Sequence, residues 1–170
     1  MSKIIKLVLF LSILAGISGG LLTYINNITS PIIIEHASEM EKENLSKLFP
    51  DSDFEKLSFN DESGMIKAGY KAGDSGYAFT CETIGYEAGT PINFIVAFDN
   101  DGNTVGYTVL SQAETSGLGD RITEEPFISG VVGKKIDEKI DLITGSTISS
   151  SAVSKAIEAA KLVFLEVGGQ

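Results

Sequence analysis

Tryptophan is absent from the 170 residues, and cysteine and histidine occur once each. One cysteine rules out an internal disulfide and any C-x-x-C redox or metal motif. Cys81 lies in an apolar, alternating stretch and reads as a small buried hydrophobe rather than a functional thiol. The single His36 cannot build a zinc site, and no metal centre is expected. Positive charge is also scarce: 13 basic residues face 23 acidic ones, for a net charge of −10. That balance excludes the basic footprint of a nucleic-acid binder and a polybasic contact with anionic lipid. No Walker loop, dinucleotide fingerprint or G-x-S-x-G elbow occurs. The carboxylates are too scattered for a glycosidase-like pair to be chosen.

What is present begins with a long apolar run. No residue from Leu7 to Ile34 is charged, and Ile4–Ile25 is apolar except for Lys6, two serines, a threonine and glycines. A bilayer core needs about 20 such residues in a helix. The competing reading is a cleaved signal peptide, which has a shorter apolar region followed by a small-x-small site. Here the small residues Gly16, Ser18, Gly19 and Gly20 lie inside the run, so an uncleaved anchor over residues 1–26 is expected. Lys3 and Lys6 precede the span, and the next lysine is Lys42. The positive-inside rule then places the N-terminus in the cytoplasm and the rest of the chain outside the cell membrane. Gly16, Gly19 and Gly20 suit close helix packing in a membrane complex, although glycine is common in such spans anyway.

A connecting helix is expected over residues 27–50, with Pro31 in its first turn, an apolar stripe through Ile33, Ala37, Met40, Leu45 and Leu48, and Pro50 as its stop. Strands are expected at Tyr77–Thr83, Ile92–Phe98 and Val105–Leu110. Asp99-Asn100-Asp101-Gly102-Asn103 reads as a hairpin turn between the last two. It mimics the start of a calcium loop, but Thr104 and Leu110 stand where that loop needs glycine and glutamate. A final helix is expected from about Ser150 to Phe164, with Ala152, Val153, Ala156, Ile157, Ala160, Val163 and Phe164 on one face. The order predicts an α+β fold: an N-terminal transmembrane helix, then one extracytoplasmic domain over 51–170 with an antiparallel sheet and flanking helices.

Two segments stand apart from this scaffold. Asp141-Leu142-Ile143-Thr144-Gly145-Ser146-Thr147 is expected to leave a strand and enter the last helix. A small, hydroxyl-rich loop at a helix N-terminus offers free N–H groups and a favourable dipole to a phosphate. The same hydroxyls suit helix capping, and the residues alone leave both readings open. Glu114-Thr115-Ser116-Gly117-Leu118-Gly119-Asp120 can present Leu118 against a flat ring, or form a plain glycine turn.

Together the two segments resemble the FMN-binding domain family, which includes the G subunit of the Rnf electron-transport complex and the C subunit of the sodium-translocating NADH:quinone reductase. The flavinylation motif of that family, D-x-x-[ST]-G-[small]-[ST], is matched by Asp141, Thr144, Gly145, Ser146 and Thr147. Its E-T-P-G-L-G signature is matched by Glu114, Thr115, Gly117, Leu118 and Gly119, with Ser116 in place of proline. The resemblance implies FMN held by a phosphoester bond to Thr147. Ser146, where alanine is usual, is a second nearby hydroxyl. The resemblance further implies an FAD-dependent FMN transferase as maturation partner, with Asp141 read by that enzyme or capping the loop. It also implies an electron relay without substrate turnover of its own, working beside the other membrane and iron–sulfur or flavin subunits of an Rnf-type ferredoxin:NAD oxidoreductase. By length the chain is more like the Rnf G subunit than the longer C subunit of the quinone reductase. An unflavinylated scaffold domain and a stand-alone flavin reductase remain as alternatives.

Overall fold

The computed structural model describes residues 3–168, without the side chains of 26–38. His36 and the Ile33 and Ala37 positions of the expected stripe therefore lie outside the described residues. The helix α1 (Lys3–Leu48) is followed by five strands: β1 (Phe54–Lys56), β2 (Ile66–Ala72), β3 (Gly76–Thr83), β4 (Ile92–Phe98) and β5 (Thr104–Ser111). A 3-10 turn (Gly119–Thr123), α2 (Glu125–Val131) and α3 (Thr147–Gly168) complete the chain. The chain divides into two compact units, Met1–Glu41 and Lys42–Gln170.

The first unit contains one helical segment long and apolar enough to cross a membrane, the 23 residues Lys3–Ile25. Its apolar side chains, among them Leu7, Phe10, Leu14 and Leu22, are solvent-exposed rather than packed in a core. That makes it a candidate membrane span.

The second unit is built on the sheet, a simple antiparallel meander in the order β1-β2-β3-β4-β5. Alternation along the strands sends two sets of side chains to opposite faces. On one face Phe79, Cys81, Phe94, Val96 and Phe98 meet Val153, Ile157, Ala160 and Phe164 of α3 and Phe127 and Val131 of α2. The aromatic contacts are edge-on or tilted: Tyr77 meets Phe164 with ring centroids 5.4 Å apart and planes at 84°. On the other face Ala72, Ala78, Ile95 and Ala97 pack against Leu45 and Phe49. Both faces of β4 are thus covered, and six of its seven residues are buried. Each fully buried Phe, Ile or Val contributes about 1.5–3 kcal/mol by leaving water.

The expected β4 matches the observed strand, and the strands expected around it differ from β3 and β5 only at their ends. The hairpin turn forms as read: Asp99 Oδ1 accepts from the backbone N–H of Asp101 at 3.0 Å and of Asn103 at 2.8 Å. Two expectations fail. No strand leads into Asp141: outside an isolated bridge between Asn103 and Lys135, the chain from Lys134 to Ser146 is loop and turn. The last helix also starts at Thr147, three residues before the expected Ser150. Ser149 and Ser150 are buried within the first turn of α3, where their hydroxyls bond inward.

Candidate functional site

The two polar segments converge on the N-terminus of α3. Leu118 and Gly119 from one, and Gly145, Ser146 and Thr147 from the other, line a single cleft of 330 Å³ together with Tyr86, Ile148 and Ser149. This lies within the roughly 300–1,000 Å³ typical of small-molecule sites. A second cleft, of 420 Å³, borders the same threonine from the other side and is lined by Met65, Thr83, Ile84, Thr147, Ile148, Ser151, Ala152 and Lys155. Thr147 and Ile148 form the ridge between them.

The geometry separates the two neighbouring hydroxyls. Ser146 is 3% exposed and directs its Oγ toward Gly119 O at 3.5 Å. Thr147 is exposed, and its hydroxyl makes one long bond as a donor, to Ile143 O at 3.4 Å. Thr147 therefore does not cap the helix in the usual sense, in which the oxygen accepts from an N–H of the first turn. The loop is held instead by Ser150, whose Oγ accepts from Ile143 N–H at 3.3 Å and donates to Ser146 O at 2.8 Å. Gly145 adopts φ +85°, a left-handed conformation in which any side chain would be strained.

Glu114 lies behind the cleft rather than in its lining. Its buried carboxylate accepts from Ser149 Oγ at 2.5 Å and from the backbone N–H groups of Tyr86 and Glu87 at 3.2 Å each. One side chain thus ties together the Glu114–Gly119 loop, the β3–β4 connection and α3. Gly119 is a glycine because a Cβ there would overlap the Glu114 carboxylate and stand 2.8 Å from Ser149 Oγ. Thr115 closes the turn through its carbonyl, which accepts from Leu118 N–H at 3.1 Å, and Gly117 turns the chain at φ +75°. Leu118 is left 52% exposed over the cleft.

The other residues singled out in the sequence stand outside the lining. Asp141 is exposed, and its Oδ2 pairs with Lys134 Nζ at 2.9 Å. Thr144 contributes its carbonyl, which accepts from Arg121 Nη1 at 2.8 Å. The motifs do not single out Tyr86, Ile148 and Ser149, which line the cleft, nor Arg121, which stands outside the lining on Thr144 O. Ile148 and Ser149 directly follow the motif, and a helix drawn from Thr147 would have turned Ser149 inward. Nothing in the linear sequence places Tyr86 in a cleft with Thr147, or Arg121 on the Thr144 carbonyl, because only the folded domain brings them there.

The family model of the FMN-binding domain matches residues 85–161, a stretch that contains both segments. That stretch is similar to the FMN-binding domain family. Among curated proteins it is similar to the G subunit of the proton-translocating ferredoxin:NAD(+) oxidoreductase complex of Clostridium ljungdahlii, at 29% identity over 94% of this chain and 91% of that protein. It is also similar to the G subunit of the ion-translocating oxidoreductase complex of Methanosarcina acetivorans, at 26% identity over 93% of each chain. The G subunit of the ion-translocating oxidoreductase complex of Vibrio parahaemolyticus is 37% identical over 39% of this chain and 38% of its own length.

The residues present fit an FMN. An apolar cleft walled by Tyr86, Leu118 and Ile148 suits a planar ring. The exposed hydroxyl at its rim and the helix N-terminus beneath suit a phosphate.

Proposed function

We propose that this chain is the flavin-bearing electron-transfer subunit of a membrane-bound, ion-translocating ferredoxin:NAD oxidoreductase, with FMN joined to Thr147 by a phosphoester bond. One observation carries the reading. Two segments far apart in sequence wall one cleft, and Thr147 presents the exposed hydroxyl at its rim. The names of relatives matched over nearly their whole length support the same assignment. The apolar segment Lys3–Ile25 anchors the chain, Lys3 and Lys6 keep its N-terminus in the cytoplasm, and the flavin domain lies outside.

Attachment requires a flavin transferase and FAD. Thr147 Oγ forms a bond to the FMN-side phosphorus of the FAD pyrophosphate, the P–O bond to the AMP half breaks, and AMP leaves with that electron pair. The hydroxyl proton passes to the transferase or to solvent. Thr147 needs only to be accessible, and the N–H groups of the first turn of α3 stabilise the charge left on the diester. Once bound, the flavin supplies the one- and two-electron chemistry. The chain holds it in place: Leu118, Tyr86 and Ile148 wall the ring site, and Gly145 and Ser146 keep the backbone close to the phosphate. Exposed Asp141 is available to the transferase as a recognition residue.

Denaturing electrophoresis of the chain co-expressed with a transferase tests the reading. A fluorescent flavin band is expected, together with co-purification of other membrane subunits. A dark band points to an unflavinylated scaffold. A fluorescent chain that purifies alone points to a stand-alone reductase.

A further inference from the structure

Arg121 is the only arginine in the chain, all twelve other basic residues being lysine. It sits on the 3-10 turn directly after the Glu114–Gly119 loop, and its side chain reaches the other segment. Nη1 donates to Thr144 O at 2.8 Å, and Nε lies 3.5 Å from Glu124 Oε2. A Cβ built on Gly145 would have Nη1 as its nearest neighbour, at 3.7 Å. The guanidinium thus lies over the one residue of the flavinylation segment that has no side chain, two positions before Thr147. Among the described residues, no hydrogen bond or ion pair uses Nη2.

We propose that Arg121 is the charge partner of the phosphate on Thr147, holding Thr144 O with one N–H and the phosphodiester with the rest of its fork. This rests on the function proposed above. A planar guanidinium with five fixed donors can serve a carbonyl and a phosphate at once, which a lysine ammonium on a flexible stem does poorly. Local charge points the same way. Lys134 is paired with Asp141, Lys155 lines the second cleft, and Arg121, itself beside Glu124, is the cation within 4 Å of a Cβ built on Gly145. In a chain of net charge −10, a phosphodiester placed there needs such a partner. The competing role is a purely structural clamp on Thr144 O.

Because there is one arginine, ¹⁵N-arginine labelling of the full chain in detergent yields a single guanidinium to follow. Samples are compared before and after flavin transfer from FAD, with loading checked by intact mass. The inference predicts a ¹⁵N–³¹P correlation between the guanidinium and the flavin phosphate in the loaded protein. It also predicts transfer about tenfold slower in Arg121→Gln, which removes the charge, with Arg121→Lys intermediate. A wild-type chain that loads fully but shows no such correlation, with Arg121→Gln loading at the wild-type rate, overturns the inference and leaves the proposed function standing. A wild-type chain that never loads overturns the proposed function, and the inference with it.

Discussion

Ser149 Oγ donates to Glu114 Oε2 at 2.5 Å, joining the first turn of α3 to a loop 35 residues earlier. Both groups are buried, and the same carboxylate also receives the Tyr86 and Glu87 N–H groups. This bond sets the cleft's two walls against one another.

Removing the carboxylate should therefore cost both stability and site geometry. Glu114→Ala strands two backbone N–H groups and one hydroxyl, and a loss of about 2 kcal/mol or more is expected in urea unfolding. Glu114→Gln keeps an acceptor oxygen and should lose about half as much. Flavin loading should fall in the same order.

The two glycines of the loop should behave differently. A Cβ on Gly119 collides with Glu114 and Ser149, so Gly119→Ala should displace the Glu114–Ser149 bond and reduce flavin loading severely. Gly117 has open space around it and φ +75°, so Gly117→Ala should cost roughly 1 kcal/mol of backbone strain. Its loading should stay near wild type. Urea melts and intact mass on both variants check the contrast.

The β4–β5 turn should resist acid. Burial pushes the Asp99 carboxyl up, but hydrogen bonds from the Asn103 side chain and from the N–H groups of Asn103, Asp101 and Gly102 outweigh it and hold the group below its ordinary value. A depressed folded value means the stabilisation is complete above the unfolded aspartate value near 4 and is lost as pH falls through the lower folded value. The Asp101 and Asn103 amide resonances should therefore move only below pH ~4. Titration at or above that value would contradict the hydrogen-bond pattern.

Cys81 should be silent in the native protein. It is fully buried on β3, and burial, with the Asp61 charge adding to it, pushes its thiol far above the ordinary range. A thiol reagent at neutral pH should label it only after denaturation, and native labelling would refute its core placement.

The extent to which the sequence disclosed all this follows from the range of the forces involved. Local patterns spoke clearly: Ile92–Phe98 is an apolar run beside an Asp-rich turn, and it is the strand β4. The strand β2 is harder to see because Lys67, Gly69 and Lys71 break its apolar character, and the three-residue β1 carries almost no signal. The segment before Asp141 has the apolar residues of a strand, but they anchor a loop, with Ile140 buried in the main core. At the site, the motif residues were legible as types and spacing. Their support was not, since Glu114 meets Ser149, and Arg121 meets Thr144, only once the sheet has brought the loops together. Thr147 holds the acceptor position of the motif with Ser146 as a neighbouring hydroxyl, and in the fold Ser146 is buried while Thr147 is exposed.

That difference leads to the most direct test of the central claim. Intact-mass spectrometry of the full chain, co-expressed with a flavin transferase, should show wild type heavier by one FMN less one water. Peptide mapping should place the addition on Thr147. Ser146→Ala should still gain that mass, and Thr147→Ala should stay at the apo mass. A wild-type chain that stays at the apo mass, or a Thr147→Ala chain that still takes up FMN, would contradict the account.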